Sequence, residues 1–344
     1  MSIPARLVRM RAATAFALGI LTAAAAFGQQ ISVRPAPTRQ MPGEADSNSP
    51  GHWLNDTFRL YNSNGFPIRT IGQSPLRTGA ARAIQLYDYD HAPMWIESTW
   101  VDPSNGYVYA WYHHEPGSPC PSGDFSAPEI GALYSDDDGN TFHDLGIVLQ
   151  SGAKPDCNGR NGFFAGGHGD FTVLLDRESK YFFFLFSNYG GDAIDQGVAI
   201  ARMAFEDRGN PVGKVFKFRG GSWNEPGLGG RITPIHTARA PWNQVNTDAF
   251  WGPSVHWNTA INQYVMLLNR SCCEPGWPQE GVYVSTSPDI SNPFSWSEPS
   301  KILDTADWYP QVLGTGPGES DKLAGRVARL FVGAFSQWEI VFGE

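Results

Sequence analysis

Lone carboxylates recur along this chain beside imidazole or indole side chains, each where a short extended run begins. "DYDHAPMWIE" carries Asp90, His91 and Glu97, and "GGHGDF" carries His168 and Asp170. "VNTDAFWGPS" carries Asp248 and Trp251, and "TADWYPQ" carries Asp307 and Trp308. Brought together, Asp170, Asp248, Glu97 and Asp307 would form an acidic pocket with an aromatic rim. Two acids about 5 to 9.5 Å apart hydrolyse a glycosidic bond, one as acid and the other as base or nucleophile, while aromatic faces stack on the sugar. Taken singly, each acid serves equally well as a turn cap. Recurrence at one structural position is what favours chemistry.

A second polar group lies in "WYHHEPG", with His113, His114 and Glu115. Neighbours on a strand point to opposite faces, so one imidazole faces a shared pocket and the pair is a poor metal site. "NRSCCEPG" occupies the matching place in a later segment and sets Arg270 and the Cys272-Cys273 pair at a similar height. Such long loops are where binding residues collect. The expected substrate contacts are therefore His168, Trp251, Trp308, His113, His114 and Arg270.

"LYSDDDGNTFHDLG" is the densest acidic stretch, with Asp136, Asp137 and Asp138 side by side. A calcium loop of the EF-hand type needs its acids at alternate positions with glycine at the sixth, which this spacing does not provide. A turn does fit: the Asp137 carboxylate and Ser135 hydroxyl take up backbone N–H groups, Gly139 supplies positive φ, and Phe142 plugs a core.

These groups must be held by short strands. Glycine is frequent, 38 of 344 residues, and there are 12 Trp, 12 Tyr and 21 Phe, without long helical stretches. "MWIESTWVDPSNGYVYAWYHHEPG" with "IGALYSDDDGNTFHDLGIVL" has the same layout as "FWGPSVHWNTAINQYVMLLNRSCCEPG" with "GVYVSTSPDISNPFSWSEPSKIL". "GDFTVLLDRESKYFFFLFSNYGG" with "QGVAIARMAFED" is a third copy, and "WYPQVLGTG" with "RLFVGAFSQWEIVF" a shortened fourth. Second strands begin at Tyr107, Tyr181, Tyr264 and near Phe331, a period of about 65 to 85 residues. A four-stranded unit cannot bury its own faces, so repeated units stack around an axis. The expected fold is all-β, a five-bladed β-propeller over 56–344, with four or six blades as alternatives. N-terminal strands would complete the C-terminal blade.

Arg6, Arg9 and Arg11 ahead of "AATAFALGILTAAAAFG" read as a signal peptide over residues 1–28, which predicts a secreted or periplasmic protein. Residues 29–55, rich in Pro, Ser, Gln and Asn, read as a flexible leader. No later stretch is apolar for the length of a membrane span. The net charge of −9 comes without a basic cluster, which excludes nucleic acid as partner. A monomer that binds carbohydrate is expected, with no cofactor beyond a calcium or other ion in the central channel. Cys120 and Cys157 are one plausible pair; Cys272 and Cys273 form a vicinal ring or reach elsewhere, and no spacing suits zinc.

Ser135, Asp137, Gly139, Thr141 and Phe142 resemble the Asp box of sialidases and related propellers, a turn remote from the active site. "VSTSPDISNPFSW" resembles a degenerate second copy, with Ser287, Asp289 and Trp296. The wider layout, notably "FWGPSVHWNTAINQYVMLLNRS" followed by "GVYVSTSPDISNPFSWSEP", resembles the five-bladed propeller glycosidases of the arabinanase, β-xylosidase and invertase superfamily. That resemblance implies two Asp and one Glu at inner strand starts. Asp170 matches an inner-strand Asp, and Asp248 and Asp307 match by position. Where the superfamily has Glu-Gly-Pro this chain has Trp251-Gly252-Pro253, leaving Glu97, Glu115 and Glu274 as candidates for the acid, or a carbohydrate-binding propeller without catalysis. A sialidase-like exo-glycosidase would need an arginine triad; Arg69, Arg82, Arg239 and Arg270 are present, but "FPIRTIG" departs from the Arg-Ile-Pro pattern.

Overall fold

Apolar alternation with a period of two, cut by Gly, Asn and Asp turns, folds the chain into five antiparallel sheets. The computed structural model describes residues 31–88, 90–123 and 125–343, so the expected signal peptide lies outside the described residues. From inner to outer strand, blade 1 is Gly51–Leu54, Thr57–Asn64, Phe66–Ser74 and Arg77–Thr78. Blade 2 is Met94–Val101, Val108–His114, Glu129–Ser135 and Thr141–Leu149. Blade 3 begins with His168–Leu175, Tyr181–Asn188, Gly197–Ala204 and Val215–Arg219. Blade 4 is Ala249–Asn258, Gln263–Ser271, Gln279–Ser287 and Ser300–Leu303. Blade 5 is Pro310–Gly314, Val327–Val332, Phe335–Phe342 and, outermost, Ile31–Gln40. The chain is a five-bladed β-propeller.

Blade 5 closes the ring, and it corrects the reading of 29–55 as a flexible leader. Ile31–Gln40 pairs antiparallel with Phe335–Phe342, from Ile31↔Phe342 to Gln40↔Phe335. Ile31 and Val33 pack against a core containing Ile340 and Phe342. The prolines at 35 and 37 disguise this strand in the sequence; an outermost strand tolerates them because one of its edges needs no partner.

Hydrogen bonds across the axis lock the blades together. Asn48 Nδ2 donates to Phe171 O (3.1 Å) and Pro253 O (3.2 Å), tying the lead-in of blade 1 to blades 3 and 4. Gln311 Nε2 donates to Ser49 O at 2.8 Å, joining blades 5 and 1. The Lys322 ammonium donates to Ser98 Oγ (3.0 Å) and Thr172 Oγ1 (2.7 Å), bridging blades 2 and 3 from the blade 5 hairpin.

The turn at 135–142 is built as its residues suggested. Asp137 Oδ1 accepts from Ser135 Oγ (2.8 Å) and Thr141 N (2.8 Å), Gly139 has φ 73°, and Phe142 is fully buried. Asp138 forms a bidentate pair with Arg59 of blade 1 (2.8 and 2.7 Å). The acids therefore serve the packing of blade 2 on blade 1.

Four buried histidines give the fold an acid limit. Burial depresses His52 to about 3, His256 to about 3 and His236 to about 4, and holds His168 well below the ordinary imidazole range. As pH falls from 6.5 towards 4 the unfolded chain takes up protons that the folded chain refuses, so stability falls by about 1.4 kcal/mol per pH unit for each histidine. Asp170, raised by burial to about 7, and Glu97 and Asp46, also raised by burial, work in the opposite sense and offset part of this loss. Thermal unfolding at pH 7, 5.5 and 4.5 should show Tm falling as the pH falls; a Tm that rises over that range would overturn this balance.

Candidate active site

The inner strands of blades 2 and 3 each carry a β-bulge. In blade 2 the pairing steps from Ile96↔Tyr112 to Ser98↔Trp111, leaving Glu97 unopposed. In blade 3 it steps from Gly169↔Ser187 to Phe171↔Phe186, leaving Asp170 unopposed, with its backbone left-handed at φ 40°. A bulge re-aims the extra side chain. Both carboxylates thereby meet His113, from the second strand of blade 2. One oxygen or nitrogen from each residue lies within 4.8 Å of the others, and all three residues are buried.

Blade 4 has the corresponding irregularity between Trp251↔Asn269 and Ser254↔Leu267. Its extra residues are Gly252, at φ 60°, and Pro253, so this bulge offers no carboxylate.

The hydrogen bonds define the charge states. Asp170 N–H donates to His113 Nδ1 at 3.1 Å, so Nε2 is the protonated nitrogen, and it lies 3.3 Å from Glu115 Oε1. Phe171 N–H donates to Glu97 Oε2 at 2.9 Å, while Glu97 Oε1 has no hydrogen-bond partner among the described residues. Burial raises the Glu97 pKa and favours its neutral acid form. Tyr189 donates its hydroxyl to Asp170 Oδ2. For His113, burial opposes a charge, but the hydrogen bonds to Glu115 and Glu97 outweigh it and raise the imidazole pKa. A second proton on His113 would displace the Asp170 N–H and sit between Nδ1 and Glu97 Oε1, 3.4 Å apart. Glu97, His113 and Asp170 are also the buried donor set most suited to a cation, but the Nδ1 lone pair and Asp170 Oδ2 are already used by hydrogen bonds.

Two further acids border this buried group and face solvent. Asp46 is exposed and lies just ahead of the blade 1 inner strand. The walls around it raise its pKa through desolvation first and then through Glu115. Glu115 is 35 % exposed. Burial would raise it, but its hydrogen bond and charge interaction with His113 outweigh that and keep it ionised. Tyr309, with φ 58°, precedes the blade 5 inner strand; burial, then Asp170, Asp46 and Glu97, keep its phenol protonated.

Of the acids expected at the axis, Glu97 and Asp170 meet; Asp248 and Asp307 do not. Asp248 forms a bidentate pair with Arg270 (2.9 and 2.9 Å), which also binds Glu280 at 2.7 Å. A carboxylate and guanidinium matched in this way satisfy each other, so Asp248 and Arg270 are tied to one another within blade 4. The two half-cystines beside Asp248 are joined as Cys272–Cys273, and Cys120 pairs with Cys157. Asp307 is exposed and bonds within its own turn, its N–H donating to Thr305 Oγ1 at 3.1 Å. Asp90 is also exposed.

Among the expected binding residues, His113 joins the cluster. His114 turns away to Pro93 O, 3.0 Å from its Nδ1. Trp251 is fully buried with its indole N–H on Gln279 (3.1 Å), so it is a packing residue with no open face. It meets the half-buried Trp308 edge-on at 5.3 Å. Phe163, 42 % exposed, stacks on Trp277 at 5.1 Å and abuts Trp308 at 5.9 Å, forming the open end of this aromatic group. His168 lines a separate cavity on blade 3.

Asp46, Tyr189 and Tyr309 are the site residues missed in the sequence. Asp46 shows the same signal as the others, an acid just ahead of an inner strand, but its strand was hidden in the supposed leader. No signal marks Tyr189, which differs from any other strand-end tyrosine only through its contact with Asp170.

No family model matches the chain, and no curated protein does. Solved structures do match. A thermostable family-43 glycoside hydrolase aligns over 90 % of this chain and 92 % of its own, at TM-score 0.53 and 12 % identity. A protein assigned as exo-β-1,3-galactanase from Bifidobacterium bifidum aligns over 88 % and 92 %, at TM-score 0.51 and 14 % identity. An endo-arabinase from Bacteroides thetaiotaomicron aligns over 88 % and 96 %, at TM-score 0.50 and 13 % identity. The chain has their fold. At such identities the likeness concerns the path of the backbone, and function must be argued from this chain's own residues.

Proposed function

We propose that the protein is an exported, monomeric glycoside hydrolase-like propeller acting on an oligosaccharide or polysaccharide through carboxylates in its central funnel. The observation that carries this reading is the pair of solvent-facing acids, Asp46 and Glu115, whose environments push their pKa values apart above the buried Glu97–His113–Asp170 group. Acids tuned in opposite directions at one place divide the work of glycoside cleavage. Glu115, kept ionised by His113, acts as base or nucleophile; Asp46 holds the proton given to the leaving oxygen. Glu97, Asp170 and Tyr189 are positioning residues that set the charge on His113. Phe163 and Trp308 offer apolar surface to the sugar. Export follows from the basic and apolar N-terminal segment and agrees with two disulfides.

The fold neighbours suggest the first substrates to try, β-1,3-galacto- and arabino-oligosaccharides, beside a panel of aryl glycosides. Turnover is expected on at least one, and Asp170→Asn should lower kcat about a hundredfold with KM nearly unchanged. Absence of turnover on every substrate, with saccharide binding retained, would instead establish a carbohydrate-binding propeller. That second reading is favoured by the Gly252-Pro253 bulge, which leaves blade 4 without an acid.

A further inference from the structure

In an antiparallel blade the start of the first strand and the loop from second to third strand lie at one end, so these loops form the rim around the acids. They differ sharply in length. Blades 2, 3 and 4 have residues 115–128, 189–196 and 272–278 there. Blade 5 has only residues 333–334, and blade 1 a single residue, Gly65. The rim is therefore high over blades 2 to 4 and low over blades 5 and 1.

A strap reinforces the high side. Residues 150–167, which link the outer strand of blade 2 to the inner strand of blade 3, make a detour across the rim. They are tied to blade 2 by the Cys120–Cys157 disulfide and by Ser126, whose N–H donates to Phe163 O (3.0 Å) and whose carbonyl accepts from Ala165 N (2.8 Å). Ser126 lies beside the Glu115 carboxyl. From there the strap reaches the link between blades 3 and 4, where Arg160 N–H donates to Asn243 O (2.9 Å) and Asn161 Nδ2 to Trp242 O (2.8 Å).

The tip is fixed by the buried Asn161, whose Oδ1 accepts from Phe163 N and Phe164 N, both at 2.7 Å. Phe164 stacks at 4.2 Å on Tyr189, the residue bound to Asp170. Phe163 carries the wall on to Trp277 of blade 4 and to Trp308 ahead of blade 5. Its half-exposed ring is thus held in place before any ligand arrives, which removes an ordering cost. Asp46 stands on the low side, its N–H bonded to Ser63 O just ahead of the Gly65 turn. A sugar chain cut within its length leaves the acids on two sides, whereas this rim is low on one.

We propose that the substrate is bound by its non-reducing end, with the terminal glycosyl unit against the Phe163 strap and the rest of the chain leaving over blades 5 and 1, past Asp46. The direction of the chain rests on the hydrolase reading above. Asp46 gives its proton to the leaving oxygen, which belongs to the reducing-end portion, so that portion lies on the Asp46 side. The glycosidic C–O bond breaks, the oxygen of a water molecule bonds to the released terminal unit, and a proton of that water restores Asp46. The protein thus removes units from chain ends.

The test uses the full chain with β-1,3-galacto- and arabino-tetrasaccharides in three forms: free, labelled with a fluorescent amine at the reducing end, and O-methylated on the non-reducing unit. In wild-type digests the label should stay on products that shorten stepwise, and the methylated form should be cleaved at least about tenfold more slowly than the free one. Phe163→Ala lowers the wall and should reduce that discrimination at least about threefold. Calorimetry with Asp46→Asn should show the same preference for an unblocked non-reducing end in binding alone. Early products of mixed length, equal handling of free and methylated forms, discrimination unchanged in Phe163→Ala, or no binding of either series overturns the proposal. End-dependent binding without turnover by the wild type removes the hydrolase reading alone, whereas turnover by internal cleavage keeps that reading and removes this one.

Discussion

Asp46→Asn should lower kcat at least about a thousandfold on any glycoside that the wild type turns over, with the fold intact. The change is nearly isosteric and removes only the ability to hold and donate a proton. Asp46 is exposed and its backbone N–H is bonded to Ser63 O at 2.9 Å, an attachment that the substitution leaves alone. Loss of the proton donor should also remove the alkaline limb of the pH–rate profile, because that limb reports deprotonation of the raised Asp46. A leaving group that needs no protonation, such as dinitrophenol, should restore much of the rate of cleavage. Turnover within tenfold of wild type on an alkyl glycoside would remove Asp46 from the reaction. Loss of rate without rescue by the activated leaving group would give Asp46 the base role instead.

Removal of residues 31–40 should have the largest effect on stability, of order 5 kcal/mol, against a control chain that retains them. The strand Ile31–Gln40 covers the whole outer edge of Phe335–Phe342, and its loss exposes that edge together with the core side chains behind Ile31 and Val33. An uncovered, apolar edge recruits other chains, so the shortened protein should aggregate as well as melt earlier. A synthetic peptide of residues 31–42 supplied in trans should restore the melting temperature, since strand addition re-forms the same pairing. If the shortened chain melts within two degrees or so of the control, the ring does not depend on this closure.

The two predictions concern the same stretch of sequence, residues 31 to 50, in which neither the strand nor the acid was legible. Pro35 and Pro37 suppress a strand reading because proline donates no hydrogen bond, and only the position at the outer edge of blade 5 makes them harmless. With the strand misread as a leader, Asp46 fell outside the domain. By contrast, the first strands of blades 2 to 4 were legible because each couples apolar alternation to a tyrosine-led second strand and a polar loop. The turn at Ser135–Phe142 was legible in its local bonds, which lie within eight residues, but not in the pairing of Asp138 with Arg59, which lies 79 residues away.

Among the acids, local sequence could not separate Asp170 from Asp248. Both stand just ahead of or within an inner strand beside aromatic residues, and a strand start looks the same whether its side chain enters the axis or meets a partner. Asp170 is turned inward by a bulge and a left-handed backbone, a matter of pairing register with Tyr181–Asn188. Asp248 is claimed by Arg270, 22 residues away and adjacent only because the two strands of blade 4 pair.

The sequence by itself determined the repeating four-stranded units, their turn chemistry and the set of carboxylates available, because those depend on local periodicity and on bonds between near neighbours. Only the tertiary structure decided that Ile31–Gln40 closes the ring, that Glu97, His113 and Asp170 converge beneath Asp46 and Glu115, and that Asp248 and Asp307 stay outside. Those outcomes depend on bulge position and on how five blades stack around one axis, which are relations between segments far apart in the chain.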